Sequence, residues 1–307
     1  MSAQKTIWTQ DGVDQDYRHH MASPHSVELR KWVDEAFGRL HQFLDKDFLQ
    51  KLSNEDFYGR LWELEVCEWL MLTDLKMIPT NGKGPDFCIK LANGSKIWIE
   101  AVLSRADEEL KLIWADLLTF EGKVYSIPRE QIALRYSNNL VEKSNKMKTK
   151  YAKYISKDDY ALIAISAFAL TTSMWTSRDL FELAILPINY QIVHFSTDGK
   201  PLPDIPRSTH EIKTQMTKRS GSHVQKEFLY PGTAFPHIDG VMFSEASNLQ
   251  QLLGKFSSSF GQETNTPHIY QNYSGKVIPE DFAKFFYYHK WWESPSMMIL
   301  DTVNPSS

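Results

Sequence analysis

The sequence has few cysteines, no long apolar run and no excess of basic residues. Cys67 and Cys88 are its two cysteines, too few for a disulfide framework or for a zinc site with four cysteine ligands. The longest apolar run, at residues 160–170, is about half of the roughly 20 residues that a membrane-spanning helix needs. The first residues lack the apolar segment of a secretory signal peptide. These absences lead us to expect a cytoplasmic protein that does not span a membrane.

The overall charge excludes one way of binding nucleic acid. The 307 residues include 34 Lys and Arg against 38 Asp and Glu, so the formal net charge is -4. A protein that binds nucleic acid through its overall charge is basic, and this one is not. Any polyanion must therefore meet a local basic patch. The hydrophobic content of 42% is that of a globular protein and excludes a collagen-like or wholly disordered chain.

The order of the predicted elements favours an α/β fold with a mixed central sheet flanked by helices. Apolar residues at helical spacing predict helices at 26–43, 54–73 and 138–155. Short apolar segments predict strands at 86–91, 96–102, 160–170 and 181–186. Asn93 and Gly94 stand between the first two strands and predict a hairpin turn there.

Two carboxylates are predicted to meet on this hairpin. Asp86 opens one strand, and Glu100 is near the end of the next, so the fold of the hairpin brings them to one end of the sheet. Carboxylates that lie close together repel each other, and a divalent cation relieves that repulsion while it holds phosphate oxygens. Glu63, on the preceding helix, is a third candidate. Each residue alone is more typical of a turn or of a solvated strand end.

The spacing of these residues resembles the motif of the PD-(D/E)XK nuclease superfamily, which has the restriction-endonuclease-like fold. Pro85-Asp86 is similar to the PD element, Glu100 to the second acidic element, and Gly59 with Glu63 to a pattern in the first core helix of many members. The resemblance covers about residues 55–170. It implies a Mg²⁺-dependent (or Mn²⁺-dependent) nuclease that cleaves phosphodiester bonds, with DNA as the expected substrate. It also implies that Asp86, Glu100 and Glu63 bind the metal.

The chain departs from that motif at its lysine. The lysine is expected two residues after Glu100, where Val102 stands, and a valine cannot stabilise charge that develops on a phosphate. Lys143 is the predicted replacement, because it lies on an apolar stripe of the third helix. Lys150 and Lys96 are the next candidates. A lysine on such a stripe either meets an anion or extends its aliphatic stem along the core and exposes its amine.

The third helix and its surroundings carry a local excess of basic residues. Residues 129–157 contain eight Lys or Arg against two Glu, and this segment is expected to contact nucleic acid through Arg135, Lys146 and Lys150. A solvated helix face is the other interpretation of such a segment.

We therefore expect three parts of the chain and keep three functions open. Residues 1–25 are predicted to be a polar arm, 26–197 a nuclease-like core, and 198–307 a C-terminal elaboration packed on that core. The first function is an active metal-dependent nuclease. The second is a nuclease-like protein that lost catalysis and binds nucleic acid or a protein partner, for which Val102 is the motivating observation. The third, which the sequence favours less, is a scaffold whose basic helix contacts an acidic protein partner.

Overall fold

The structure is a computed structural model. It describes residues 7–106, 108, 128–166, 178–186, 188–193, 208–212, 215–218, 220–225, 235, 237–244, 267–272, 275–294 and 297–303. Within these residues no helix is long and apolar enough to cross a membrane.

Helices dominate the first part of the chain. They are α1 (Gln15–Ala22), α2 (Val27–Leu40), α3 (Phe48–Asn54) and α4 (Phe57–Met71), followed later by α5 (Arg129–Lys148), α6 (Arg178–Ile185) and α7 (Glu280–Ala283). α4 begins where the carboxylate of Asp56 accepts a hydrogen bond from the backbone N–H of Gly59 at 2.9 Å. This cap satisfies one of the N–H groups that the first helical turn leaves without a partner.

Among the described residues, the strands form one mixed sheet of eight and two small pairs. They are β1 (Lys76–Ile78), β2 (Phe87–Lys90), β3 (Lys96–Leu103), β4 (Tyr160–Ser166), β5 (Ile188–Val193), β6 (Ser208–Ile212), β7 (Gln215–Thr217), β8 (His223–Gln225), β9 (Gly240–Phe243), β10 (His268–Gln271), β11 (Tyr287–Ser294) and β12 (Met297–Val303). The large sheet has the order β1-β2-β3-β4-β9-β10-β11-β12. β1, β2 and β3 are antiparallel neighbours, whereas β3 and β4, and β4 and β9, are parallel.

The sheet separates two apolar layers. On one face, Ile99 of β3 packs in the same cluster as α2 and α4. On the other face, Val102 of β3 packs with α5 and α6. Successive residues of a strand point to opposite faces, so a single strand serves both clusters. This arrangement confirms the predicted α/β class with a mixed sheet flanked by helices.

The first residues differ from the predicted polar arm. Residues 7–25 include α1, and its Tyr17 is 1% exposed. Tyr17 stacks on Trp8 at a centroid distance of 5.1 Å and meets the edge of Phe57 on α4 at 6.0 Å. α1 buries only Tyr17 and His20, so the segment is polar in composition although it belongs to the core.

The second half of the sheet comes from the C-terminal part of the chain. β9 pairs with β4, and β10, β11 and β12 extend the same sheet beyond it. The predicted boundary at 197–198 lies outside the described residues.

Two predicted elements differ from the structure. The segment predicted as a strand at 181–186 forms most of helix α6, and that prediction was wrong. Five of the eight residues of α6 are buried, so the sequence shows a short apolar run in which helix and strand periods are hard to separate. The helix predicted at 138–155 begins earlier and ends at Lys148, which leaves Lys150 outside it.

Candidate active site

The hairpin of β2 and β3 sets the position of the two carboxylates. Phe87 pairs with Ile99, so one further step of the antiparallel register puts Asp86 opposite Glu100, on the same face of the sheet. Oδ2 of Asp86 accepts a hydrogen bond from the backbone N–H of Ala101 at 2.8 Å. The turn of the hairpin contains Gly94 at φ 88°, a conformation that a glycine adopts without strain.

Glu100 is buried and faces helix α5. It is 1% exposed, and its Oε1 accepts a hydrogen bond from Nζ of Lys146. Nζ of Lys143 lies 3.4 Å from the same oxygen. Within the described part of the chain, the other oxygen, Oε2, has no hydrogen-bond partner although it is buried. A buried carboxylate oxygen without a donor is costly, so Glu100 has capacity for a further positive partner.

Glu63 reaches the same region from α4. Its side chain is buried, and Oε2 accepts a hydrogen bond from Nη1 of Arg60 at 2.6 Å. The two residues are three apart, so they lie on neighbouring positions of one helix face. Gly59 is the other residue on this helix that is similar to the nuclease motif. The helix cap explains why a glycine stands there, because a Cβ would come within 2.3 Å of the capping carboxylate of Asp56.

The three carboxylates influence one another's protonation. Burial, together with the charge of Glu100, raises the pKa of Asp86 to about 7. Burial, together with the charge of Asp86, raises the pKa of Glu63 well above its ordinary value. Both shifts favour the protonated form, because negative charge is crowded in a poorly solvated place. A cation bound between these groups would relieve the crowding.

The lysines that meet Glu100 come from a different element than the motif predicts. Val102 on β3 is buried in the apolar layer under α5 and carries no charge to the site. Lys143 and Lys146 are three residues apart on α5, so both side chains project toward β3. Burial opposes the charge of Lys146, but the hydrogen-bonded carboxylate of Glu100 outweighs it and raises the pKa of Lys146.

An aromatic ring completes the surroundings of Lys146. Nζ of Lys146 lies 5.0 Å from the ring centroid of Tyr151, a buried residue just after α5. The backbone N–H of Tyr151 donates to the carbonyl oxygen of Lys146 at 3.1 Å, which holds the backbone of Tyr151 close to that lysine. Lys146 therefore lies between the carboxylate of Glu100 and the side chain of Tyr151, whose ring quadrupole and hydroxyl oxygen both favour a cation.

The other predicted basic residues lie away from Glu100. Nε of Arg135 donates to the backbone oxygen of Arg105 at 2.8 Å, beyond the end of β3. Lys150 is exposed, and its Nζ lies 5.4 Å from the ring centroid of Tyr151. Sequence reasoning thus assigned Lys146 to nucleic-acid contact although it touches Glu100. It also missed Arg60 and Tyr151; the spacing of three between Arg60 and Glu63 was the available signal for the first.

The donor set is chemically suitable for a hard divalent cation. Carboxylate oxygens are the ligands that Mg²⁺ and Mn²⁺ prefer, and Asp86, Glu100 and Glu63 supply them. Across the described ranges, however, no three Asp, Glu, His or Cys side chains are already grouped as a metal cluster. The lysines that pair with Glu100 occupy one of its oxygens, and the partnerless Oε2 is the one that fits a cation.

Comparisons of the chain with protein-family models, with curated proteins and with solved structures find no match.

Proposed function

We propose that the protein is a metal-dependent nuclease that hydrolyses phosphodiester bonds, with DNA as its expected substrate. The observation that carries the proposal is the pair Asp86 and Glu100 on one face of the hairpin, with two lysines of α5 at Glu100. The proposal sets the protein in the cytoplasm, where Cys67 and Cys88, both free and buried, stay reduced.

Asp86, Glu100 and Glu63 are the proposed ligands of the cation, Mg²⁺ or Mn²⁺. When bound, such an ion lowers the pKa of water and neutralises charge on the phosphate. The side chain of Lys143 or Lys146 orients the attacking water and donates to the phosphate oxygens as charge develops. Arg135 and Lys150 hold neighbouring phosphates.

The experiment compares carboxylate variants for Mg²⁺-dependent cleavage of DNA and RNA. Asp86→Asn and Glu100→Gln should abolish cleavage while the variants stay folded, as judged by circular dichroism. Glu35→Gln is the matched control, because Glu35 is an exposed carboxylate on α2. Cleavage at the wild-type rate by both site variants would refute the proposal.

A second function is favoured by Val102. This residue fills the place of the motif lysine with an apolar side chain packed under α5, and the lysines of α5 already neutralise Glu100. A protein of this kind would use the fold to bind nucleic acid or a protein partner without catalysis. Binding that persists in EDTA, with no cleavage in either Mg²⁺ or Mn²⁺, would support this second function over the first.

A further inference from the structure

A row of exposed lysines runs from the carboxylate site to the start of β4. We define the lysine ridge as Lys148, Lys150, Lys153 and Lys157, which follow one another at the end of α5 and in the turn before β4. All four are exposed. In the described part of the chain none of them has an acidic side chain within ion-pair distance.

Aromatic rings support two of the ridge lysines. Nζ of Lys150 lies 5.4 Å from the ring centroid of Tyr151, and Nζ of Lys153 lies 5.0 Å from that of Tyr154. Such contacts limit the freedom of long side chains without neutralising their charge. These lysine side chains therefore lose less conformational entropy when they bind an anion.

The ridge has a definite start and end. It starts beside the site, because the ring of Tyr151 lies under both Lys146, which holds Glu100, and Lys150. It ends at the exposed Asp158, just before β4. Lysines in the last turn of a helix are often there to interact with the helix dipole. Lys150, Lys153 and Lys157 lie beyond the end of α5, so the dipole does not explain them.

Strand β4 gives the distance between the level of Glu100 and the turn that carries the end of the ridge. Glu100 pairs with Ile163 of β4, and the strand begins at Tyr160, which is about 10 Å away at the usual rise per residue. One strand of B-form DNA has a phosphate about every 3.4 Å along its axis, so this distance along β4 corresponds to about three phosphates.

We propose that the lysine ridge binds the phosphodiester backbone of the substrate on the side that leads from the carboxylate site toward the start of β4. The inference rests on the nucleic-acid substrate of the proposed function, and it names the surface and the direction in which that substrate lies. It does not depend on cleavage, because phosphate contacts by lysines act in binding whether or not the bond is broken.

The experiment measures binding of labelled DNA and RNA duplexes by fluorescence anisotropy over a range of salt, with EDTA present. The variant replaces all four ridge lysines by Gln. The matched control replaces four other exposed lysines, Lys31, Lys46, Lys76 and Lys90, by Gln and has the same net charge. We expect the ridge variant to lose at least about tenfold in affinity at low salt, with a shallower salt slope by about 0.9 per lost phosphate contact.

Equal affinity and salt slope in the ridge variant and the control would overturn the inference, as would no binding by the wild type. Polyglutamate serves as the acidic-protein probe, and ridge-dependent binding of it without binding of duplexes would also overturn the inference. If the fourfold variant fails to fold, the double variant Lys153→Gln/Lys157→Gln repeats the test, because both residues lie beyond the end of α5. Ridge-dependent binding without Mg²⁺-dependent cleavage would refute the nuclease and leave the ridge in place.

Discussion

Lys146 on α5 donates a hydrogen bond to Oε1 of Glu100 on β3, and the two residues are 46 positions apart in the chain. Lys143 lies 3.4 Å from the same oxygen. The positive charge beside Glu100 therefore comes from a helix that packs on the sheet, while the strand position two residues further on is the buried Val102. A change in these lysines alters the charge of the site without altering the strand.

The two lysines are expected to contribute unequally to cleavage. Lys146→Ala should lower kcat by about 10²-fold, the usual cost of losing one donor to a developing oxyanion, because Lys146 is hydrogen-bonded to Glu100. Lys143→Ala, which removes the longer contact, should have a smaller effect. Single-turnover cleavage with Lys76→Ala as the exposed control tests the order. A larger loss with Lys143→Ala would restore Lys143 as the principal lysine.

The hairpin was the part of the site that the sequence could predict. Asn93-Gly94 is a local turn signal, and the hairpin that it predicts brings Asp86 and Glu100 to one end of the sheet. The register that puts them opposite each other comes from the structure. Which lysine contacts Glu100 was harder to predict from the sequence, because Lys143 and Lys146 lie on the same helix face at a spacing of three. Only packing of α5 on β3 decides which amine is closer, and that packing depends on residues far apart in the chain.

The fold shows the same division between local and non-local information. The α/β class follows from the order of elements, each of which has its own periodic pattern. In contrast, β9 pairs in parallel with β4, which is far from it in the chain. No local sequence pattern predicts this pairing. Lys150 was expected within the helix predicted at 138–155, but α5 ends at Lys148, and the chain then turns and buries Tyr151.

The stability of the metal-free protein should fall as pH rises. The pKa of Asp86 is raised to about 7, and that of Glu63 is raised too, so the native state holds protons that the unfolded chain releases near its ordinary carboxyl pKa of about 4. Between about pH 4 and pH 7 the native state binds more protons, and its stability therefore decreases with pH in that window. Thermal unfolding of wild type and Asp86→Asn across the window measures the contribution.

Asp86→Asn should flatten this pH dependence and raise the melting temperature most at the alkaline end. Glu35→Gln, at an exposed position on α2, should keep the wild-type slope. Added Mg²⁺ should stabilise the wild type more at high pH than at low pH, because the cation competes with protons for the same oxygens. A wild-type slope in Asp86→Asn would mean that Asp86 does not carry the extra proton.

Tyr151 is expected to act as a positioning residue for Lys146. Tyr151→Leu removes both the ring and the hydroxyl beside Lys146 and should lower kcat by about tenfold, the equivalent of about 1–2 kcal/mol, whereas Tyr151→Phe removes the hydroxyl alone and should have a smaller effect. Tyr154→Leu is the matched control, because Tyr154 forms the same kind of contact with Lys153 away from Glu100. Rates are compared at saturating substrate, so that weaker binding is separated from slower cleavage. Equal losses of kcat in Tyr151→Phe and Tyr151→Leu would assign the effect to the hydroxyl and not to the ring.

The segment before α2 should be essential for folding. The Tyr17 ring stacks on Trp8, and its hydroxyl accepts a hydrogen bond from the backbone N–H of Thr9 at 2.7 Å. Tyr17→Ala removes a fully buried aromatic side chain and should lower the free energy of unfolding by about 3 kcal/mol or more. Arg18→Ala on the exposed side of the same helix should change it by less than about 0.5 kcal/mol. Both values come from urea denaturation.

The result also decides whether residues 7–25 are a separable arm. If Tyr17→Ala were as stable as Arg18→Ala, α1 would be an appendage, and its removal would leave the site intact. The contacts point the other way, since Tyr17 meets Phe57 at the start of α4, the helix that carries Glu63. Loss of α1 should therefore loosen the first turn of α4 and lower the cleavage rate together with stability. A truncation that begins at residue 26 and retains wild-type cleavage would contradict this coupling.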